Sequence, residues 1–244
     1  MSISRRREVL DAIGDSGVLP LFYCDDVEQS VRIMAALADG GARAIEFTDR
    51  GPNARRVFAE MATQAAVRPW NILLGAGSIR DPYAADWYIA SGARFIVGPT
   101  FDPDVATLCN LRRVPYLPGC ATPTEIVTAE RSGVEFVKVF PGDTLGPAFV
   151  RAIRGPLPEA QVVVTGGVAA TQASVREWIS AGAAALGFGS GLVSRAFTSG
   201  AAPAPLTRTV ADLIRWVALA RLEQDASTRQ PGSFQVVPSQ ESQP

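Results

Sequence analysis

The feature that most constrains this chain is a repeating pattern. Short apolar runs of strand length alternate with segments of helical periodicity, and the alternation occurs eight times. Parallel strands joined by helical crossovers are the structure such β-α units build. The runs cover 18–24, 44–48, 71–77, 95–99, 116–120, 136–141, 161–167 and 185–190. Several are apolar on both faces, as strands roofed by helices must be. Amphipathic segments lie between them, for example 27–41, 84–93, 123–133 and 174–183. Gly41, Gly92, Gly133 and Gly182 each stand between helix and strand, where a left-handed residue ends a helix. Eight units in 244 residues match the roughly 250 residues of a closed (β/α)8 barrel. The expected fold is therefore α/β, a TIM barrel with a short N-terminal helix and a C-terminal helical extension.

The N-terminal helix, ISRRREVLDAIGD, is expected across the bottom of the barrel. Its Arg5-Arg6-Arg7 run reads as a solvated face, with contact to phosphate as the alternative. Residues 207–225 carry an apolar stripe that includes Leu213, Trp216, Val217 and Ala220, and should form the eighth barrel helix. A single domain over 1–225 is expected. The tail 226–244 is polar, aperiodic and Pro-containing, and should be mobile unless it docks on a neighbouring subunit.

Charge narrows the function. With 23 basic and 24 acidic side chains the chain has a formal net charge of −1, and no global field to hold nucleic acid or an anionic membrane. No apolar run is long enough to span a bilayer, and the first residues lack the apolar stretch of a secretory signal, so a cytoplasmic place is expected. Cys24, Cys109 and Cys120 lie far apart without CxxC spacing and are expected to be buried thiols. The chain has no histidine. Ser-His and Cys-His pairs and His metal sites are thereby excluded, and proton transfer falls to carboxylate, lysine, tyrosine or water.

Among the 23 basic residues only Lys138 is a lysine. It lies in the apolar run FVKVFP, where the strand period turns Val137 and Val139 outward and Lys138 into the barrel. A desolvated lysine loses preference for its charged form, and the neutral amine can attack a carbonyl. The competing reading is a buried lysine paired for structure. Glu46, in AIEFTDR, faces inward by the same parity and is the leading general acid/base; a core salt bridge to Arg50 or Lys138 is its structural alternative. Arg50 can offer a fork to a carboxylate. Thr165-Gly166-Gly167 and Gly189-Ser190 end the last two strands, where a barrel commonly binds phosphate on backbone N–H groups; ordinary tight turns are the alternative.

Together, IEFTDR, GAGSI, VGP, PGCATPTE, FVKVFPGD, VTGGV and GSGLV resemble the class I 2-keto-3-deoxy-6-phosphogluconate (KDPG) and 4-hydroxy-2-oxoglutarate (KHG) aldolase family over roughly residues 15–196. The resemblance implies Lys138 as the Schiff-base lysine and Glu46 as acid/base. Arg50, Thr48, Ser78, Pro99 and Phe140 would surround the pyruvate half, and Thr165, Gly166, Gly167, Gly189 and Ser190 would hold the distal phosphate. No cofactor or metal is implied. The reaction would be reversible cleavage of a 2-keto-4-hydroxy acid, 2-keto-3-deoxy-6-phosphogluconate or 4-hydroxy-2-oxoglutarate, to pyruvate and an aldehyde, glyceraldehyde 3-phosphate or glyoxylate, and the assembly a homotrimer. Ser78 stands where many relatives have Thr, and PGD follows the lysine strand where well-known members carry Pro-Ala-Glu, which leaves the aldehyde partner open. Two other readings use the same barrel: a phosphosugar isomerase, epimerase or decarboxylase with Lys138 as proton donor, and a catalytically silent assembly protein.

Overall fold

The computed structural model describes residues 2–189, 191–193 and 204–229. Eight β-α units are present. In chain order they are α1 (Ser2–Ser16), β1 (Val18–Phe22), α2 (Val27–Asp39), β2 (Ala44–Thr48), α3 (Ala54–Val67), β3 (Leu73–Gly77), α4 (Pro82–Ala90), β4 (Ile96–Val97) and α5 (Pro103–Arg112). There follow β5 (Tyr116–Leu117), β6 (Gly119–Cys120), α6 (Pro123–Arg131), β7 (Phe136–Val139), α7 (Gly142–Arg154), β8 (Gln161–Thr165), α8 (Gln172–Ser180), β9 (Ala185–Phe188) and α9 (Ala204–Arg229).

All strand pairs are parallel, in the order β5-β4-β3-β2-β1-β9-β8-β7-β6. The two ends of this order are halves of one run, 116–120, interrupted at Pro118, which has no N–H for a ladder. Tyr116–Leu117 pairs with β4 and Gly119–Cys120 with β7. The Pro118 carbonyl still accepts from the Lys138 N–H at 2.8 Å, so the ring closes around eight strand positions. This is the TIM barrel expected from the alternation. Most strands are shorter than their apolar runs, because the polar and Gly-Pro residues at the run ends leave the ladder to form the turns at the C-terminal ends of the strands.

Strand parity sorts the core into two bodies. Ile45, Phe47, Val137, Val139, Val162 and Val164 pack outward under the helices. Inside, Leu19, Ala44, Leu73, Phe95, Leu117, Phe136, Val163 and Ala185 form a layer, with Val9, Ala12 and Ile13 of α1 plugging it from below. The glycines between helix and strand do what they were read to do: Gly41, Gly92, Gly133 and Gly182 have φ of 94°, 106°, 82° and 103°.

In α9, Leu206, Val210, Leu213, Val217 and Ala220 are buried at helical spacing, and the helix packs against α8 and α2 as the eighth helix of the ring. Trp216, expected in the stripe, is only half-buried. The helix, expected over 207–225, spans Ala204–Arg229, since no breaker precedes Pro231. Cys24 is likewise only half-buried, while Cys109 and Cys120 are buried as expected. Among the described residues no helix is long and apolar enough to cross a membrane.

One side chain ties this ring together. Arg221 of α9 donates to the carbonyls of Gly14 (2.7 Å), Asp15 (2.9 Å) and Ala184 (2.6 Å), so it satisfies the open end of α1 and reaches the start of β9. Hydrogen bonds from a charged donor contribute about 1.5–3 kcal/mol. Arg221→Ala should therefore cost about 2 kcal/mol or more in urea unfolding. An unchanged midpoint would show that α9 does not depend on this clamp.

Candidate active site

One step above the plugged layer, the inward positions change character. Ala44 is followed by Glu46, Phe136 by Lys138 and Val163 by Thr165, while Leu73, Leu117 and Ala185 are followed by Gly75, Gly119 and Gly187. Glu46 is 3%, Lys138 7% and Thr165 7% exposed. The register places Glu46 opposite Gly75 and Lys138 opposite Gly119. The glycines are there for space. A Cβ on Gly77 would lie 1.7 Å from Glu46 Oε1, one on Gly187 2.5 Å from Thr165 Oγ1, and one on Gly119 2.0 Å from the Pro99 carbonyl. Glycine at these inward steps leaves room at one level for a carboxyl, an amine and a hydroxyl. These glycines escaped the sequence reading, although counting by twos along each strand from Leu73, Leu117 and Ala185 finds them.

The level is short of partners. Glu46 Oε2 and Thr165 Oγ1 are buried without a hydrogen-bond partner in the protein. Among the described residues no ion pair joins Glu46 to Lys138 or Arg50, so the salt-bridge alternative does not hold. Burial holds the Glu46 carboxyl above its usual 4.5, against the opposing pull of Lys138 and Arg50. Burial also holds the Lys138 amine below its usual 10.5, outweighing the attraction of Glu46, while Arg50 pushes it further down. For Glu46 desolvation outweighs the two neighbouring positive charges. The Lys138 Nζ stands 4.9 Å from the centre of the Phe140 ring, which covers the amine on one side.

Around this level stand the other expected residues. At the end of β2 the chain turns, with Asp49 N–H donating to the Gly77 carbonyl, and the Arg50 Nε donates to Ser78 Oγ at 3.3 Å. Ser78 has φ of 65°, a left-handed conformation that directs the chain out of β3 toward Arg50. Thr48, one of the residues expected around the pyruvate half, is buried at the end of β2. Its hydroxyl donates to the Phe22 carbonyl at 3.3 Å, which pins β2 to β1 beneath Arg50. Pro99 lies against Gly119, beside the lysine strand.

The Gly-rich ends of β8 and β9 converge as well. Gly166 (φ 94°) and Gly167 (φ 71°) are left-handed, and a Cβ on Gly167 would meet Asp143 at 2.2 Å, so only glycine fits. Gly167, Gly189 and Gly191 share a cavity of ≈ 450 Å³ whose far wall includes Pro205 and Thr209 of α9. Thr165 and Gly166 are not among the residues lining it; Thr165 belongs to the buried level and Gly166 packs against Phe140. Ser190 lies outside the described residues.

Because Lys138 is unique, its amine can be titrated directly after ¹³C reductive methylation. The midpoint should fall below 10.5, and Glu46→Gln should lower it further by removing the carboxylate that favours the ammonium. A midpoint at the ordinary lysine value would mean that water reaches the amine.

Comparison with known proteins agrees with this geometry. The family model described as KDPG and KHG aldolase matches residues 9–202. The 2-dehydro-3-deoxy-phosphogluconate aldolase of Treponema pallidum (strain Nichols) is 35% identical over 161 residues, 66% of this chain and 75% of that protein. The 2-dehydro-3-deoxy-6-phosphogalactonate aldolase of Escherichia coli (strain K12) is 31% identical over 168 residues, covering 68% of this chain and 78% of that one. Among solved structures, a 4-hydroxy-2-oxoglutarate/2-dehydro-3-deoxyphosphogluconate aldolase superposes with a TM-score of 0.72 at 29% identity, over 85% of this chain and 98% of that one. The chain belongs to the KDPG and KHG aldolase family and is an aldolase, a lyase.

Proposed function

We propose that this enzyme is a class I aldolase that cleaves 2-keto-3-deoxy-6-phosphogluconate, or its C4 epimer, to pyruvate and glyceraldehyde 3-phosphate. The observation that carries the reading is the shared inward level of Lys138 and Glu46, both desolvated and not ion-paired to each other. An amine held below its usual range supplies the neutral nucleophile, and a carboxyl held above its range is a stronger base once ionised.

The Lys138 amine adds to the C2 ketone, and loss of water from the carbinolamine leaves an iminium. Glu46 takes the C4 hydroxyl proton as the C3–C4 bond breaks. The bonding electrons move into the iminium to give an enamine, and C4 leaves as the aldehyde. Protonation of the enamine at C3 and hydrolysis of the resulting imine release pyruvate and restore the amine. Arg50 and Ser78, already hydrogen-bonded to each other, offer adjacent donors to the substrate carboxylate and orient C2 toward the amine. The cavity at Gly167 and Gly189 receives the phosphate on backbone N–H groups. The relatives carry the gluconate and galactonate specificities in their names, and the two substrates differ at C4, where Glu46 acts. A homotrimer in the cytoplasm completes the reading by resemblance.

Lys138→Arg keeps the charge but not the nucleophile. It should abolish turnover of the keto acid while the circular dichroism stays native, and retained turnover would overturn the lysine's role. Glu46→Gln should slow hydrogen exchange at the pyruvate methyl group by a factor of about 10² to 10⁴, the usual contribution of a general base. Exchange at the wild-type rate would remove Glu46 from the proton transfer.

A further inference from the structure

The barrel has a second concentration of charge, at the end opposite the lysine level. The Arg5-Arg6-Arg7 run splits its work there. Arg6 forks onto Glu135 and also donates to the Gly133 carbonyl (2.9 Å), while Arg7 pairs with Asp11. Arg5 instead lines a cavity of ≈ 280 Å³ together with Arg94, from the turn before β4, and Arg112 and Arg113, from the end of α5; Ile89 and Val114 contribute apolar surface to it. Four guanidinium-bearing residues from three separate parts of the chain thus surround one hollow.

Ion pairs hold Arg94 and Arg112 in place at this hollow. Arg94 is ion-paired to Glu8 of α1 at 2.8 Å, and Arg112 to Asp86 of α4. These pairs fix where the two side chains stand and leave further N–H donors on each, since a guanidinium carries five. Arg113 adds a backbone cost. It caps α5 in the left-handed conformation (φ 58°, ψ 40°), a position where glycine or asparagine is the usual residue.

We propose that this hollow is a second anion site, distinct from the catalytic level, which takes a small phosphomonoester with a short carbon body. Phosphate fits better than carboxylate because its terminal oxygens accept in several directions, which suits arginines that reach the hollow from three parts of the chain, whereas a carboxylate accepts in one plane. The apolar surface from Ile89 and Val114 is of no use to bare orthophosphate and suits a short carbon chain. The volume, ≈ 280 Å³, lies just under the roughly 300 Å³ at which pockets for drug-sized ligands start, which limits the ligand to a few carbons.

The test is isothermal titration with sn-glycerol 3-phosphate, using glycerol and orthophosphate as controls, on the wild-type chain and on the double variant R5A/R113G. Glycine suits the Arg113 backbone, and Arg5 is exposed, so the variant should fold and retain its aldolase turnover. The wild-type titration should contain one site more than the variant, with glycerol 3-phosphate bound at that site at least tenfold more tightly than orthophosphate and glycerol not bound. Equal stoichiometry and affinity in the two proteins would overturn the proposal, as would orthophosphate matching the ester at the lost site. Should the double variant fail to fold, Arg5→Ala alone decides: weaker binding of the ester at the second site supports the proposal, and wild-type binding there refutes it.

Discussion

The chemistry of this barrel rests on desolvation of two opposite ionisable groups at one level. Transfer of a carboxylate or an ammonium out of water disfavours the charged form of each, so Glu46 rises and Lys138 falls. Direct contact between them would have restored both to their charged forms and left a structural salt bridge. Their separation is possible because Gly75, Gly77, Gly119 and Gly187 place no side chains at this level. Packing space and acid/base chemistry are therefore one property: any larger residue at Gly77 or Gly119 must displace Glu46 or the Pro99 segment.

The rest of the fold supports this level from below. Val9, Ala12 and Ile13 of α1 join the lower inward layer and close the N-terminal end with apolar side chains. Pro118 interrupts the fifth strand beside the lysine strand, yet its carbonyl holds the Lys138 N–H and fixes where the side chain begins. Thr48 pins β2 to β1 one step beyond Glu46 and so sets the turn that carries Arg50 to Ser78. Arg221 then fastens the last helix to the ends of α1 and to the start of β9, which links the ring of helices to the plug.

Much of this was legible in the residues themselves. Period-two alternation around Lys138 and Glu46 gave their inward direction, since Val137, Val139, Ile45 and Phe47 all pack on the helix side. The left-handed glycines before the strands and the Gly-Gly turn after β8 followed from local backbone rules. Other features depend on contacts between distant parts of the chain. The hydrogen bond of the Thr48 hydroxyl to the Phe22 carbonyl depends on the β1–β2 register, which local sequence does not give. The strand ends were read too long because Gly and Pro continue an apolar run in sequence while leaving the hydrogen-bond ladder in space. Arg5 was indistinguishable from Arg6 and Arg7 until α1 was seen against α5 and the turn before β4.

The central claim is that the amine of Lys138 forms an imine with a keto acid. Incubation of the protein with pyruvate and borohydride, followed by peptide mass spectrometry, tests it directly, because no other lysine competes. The account predicts a reduced pyruvate adduct on the peptide containing Lys138, formed in the folded protein and absent after denaturation. A folded, unlabelled Lys138 would contradict it.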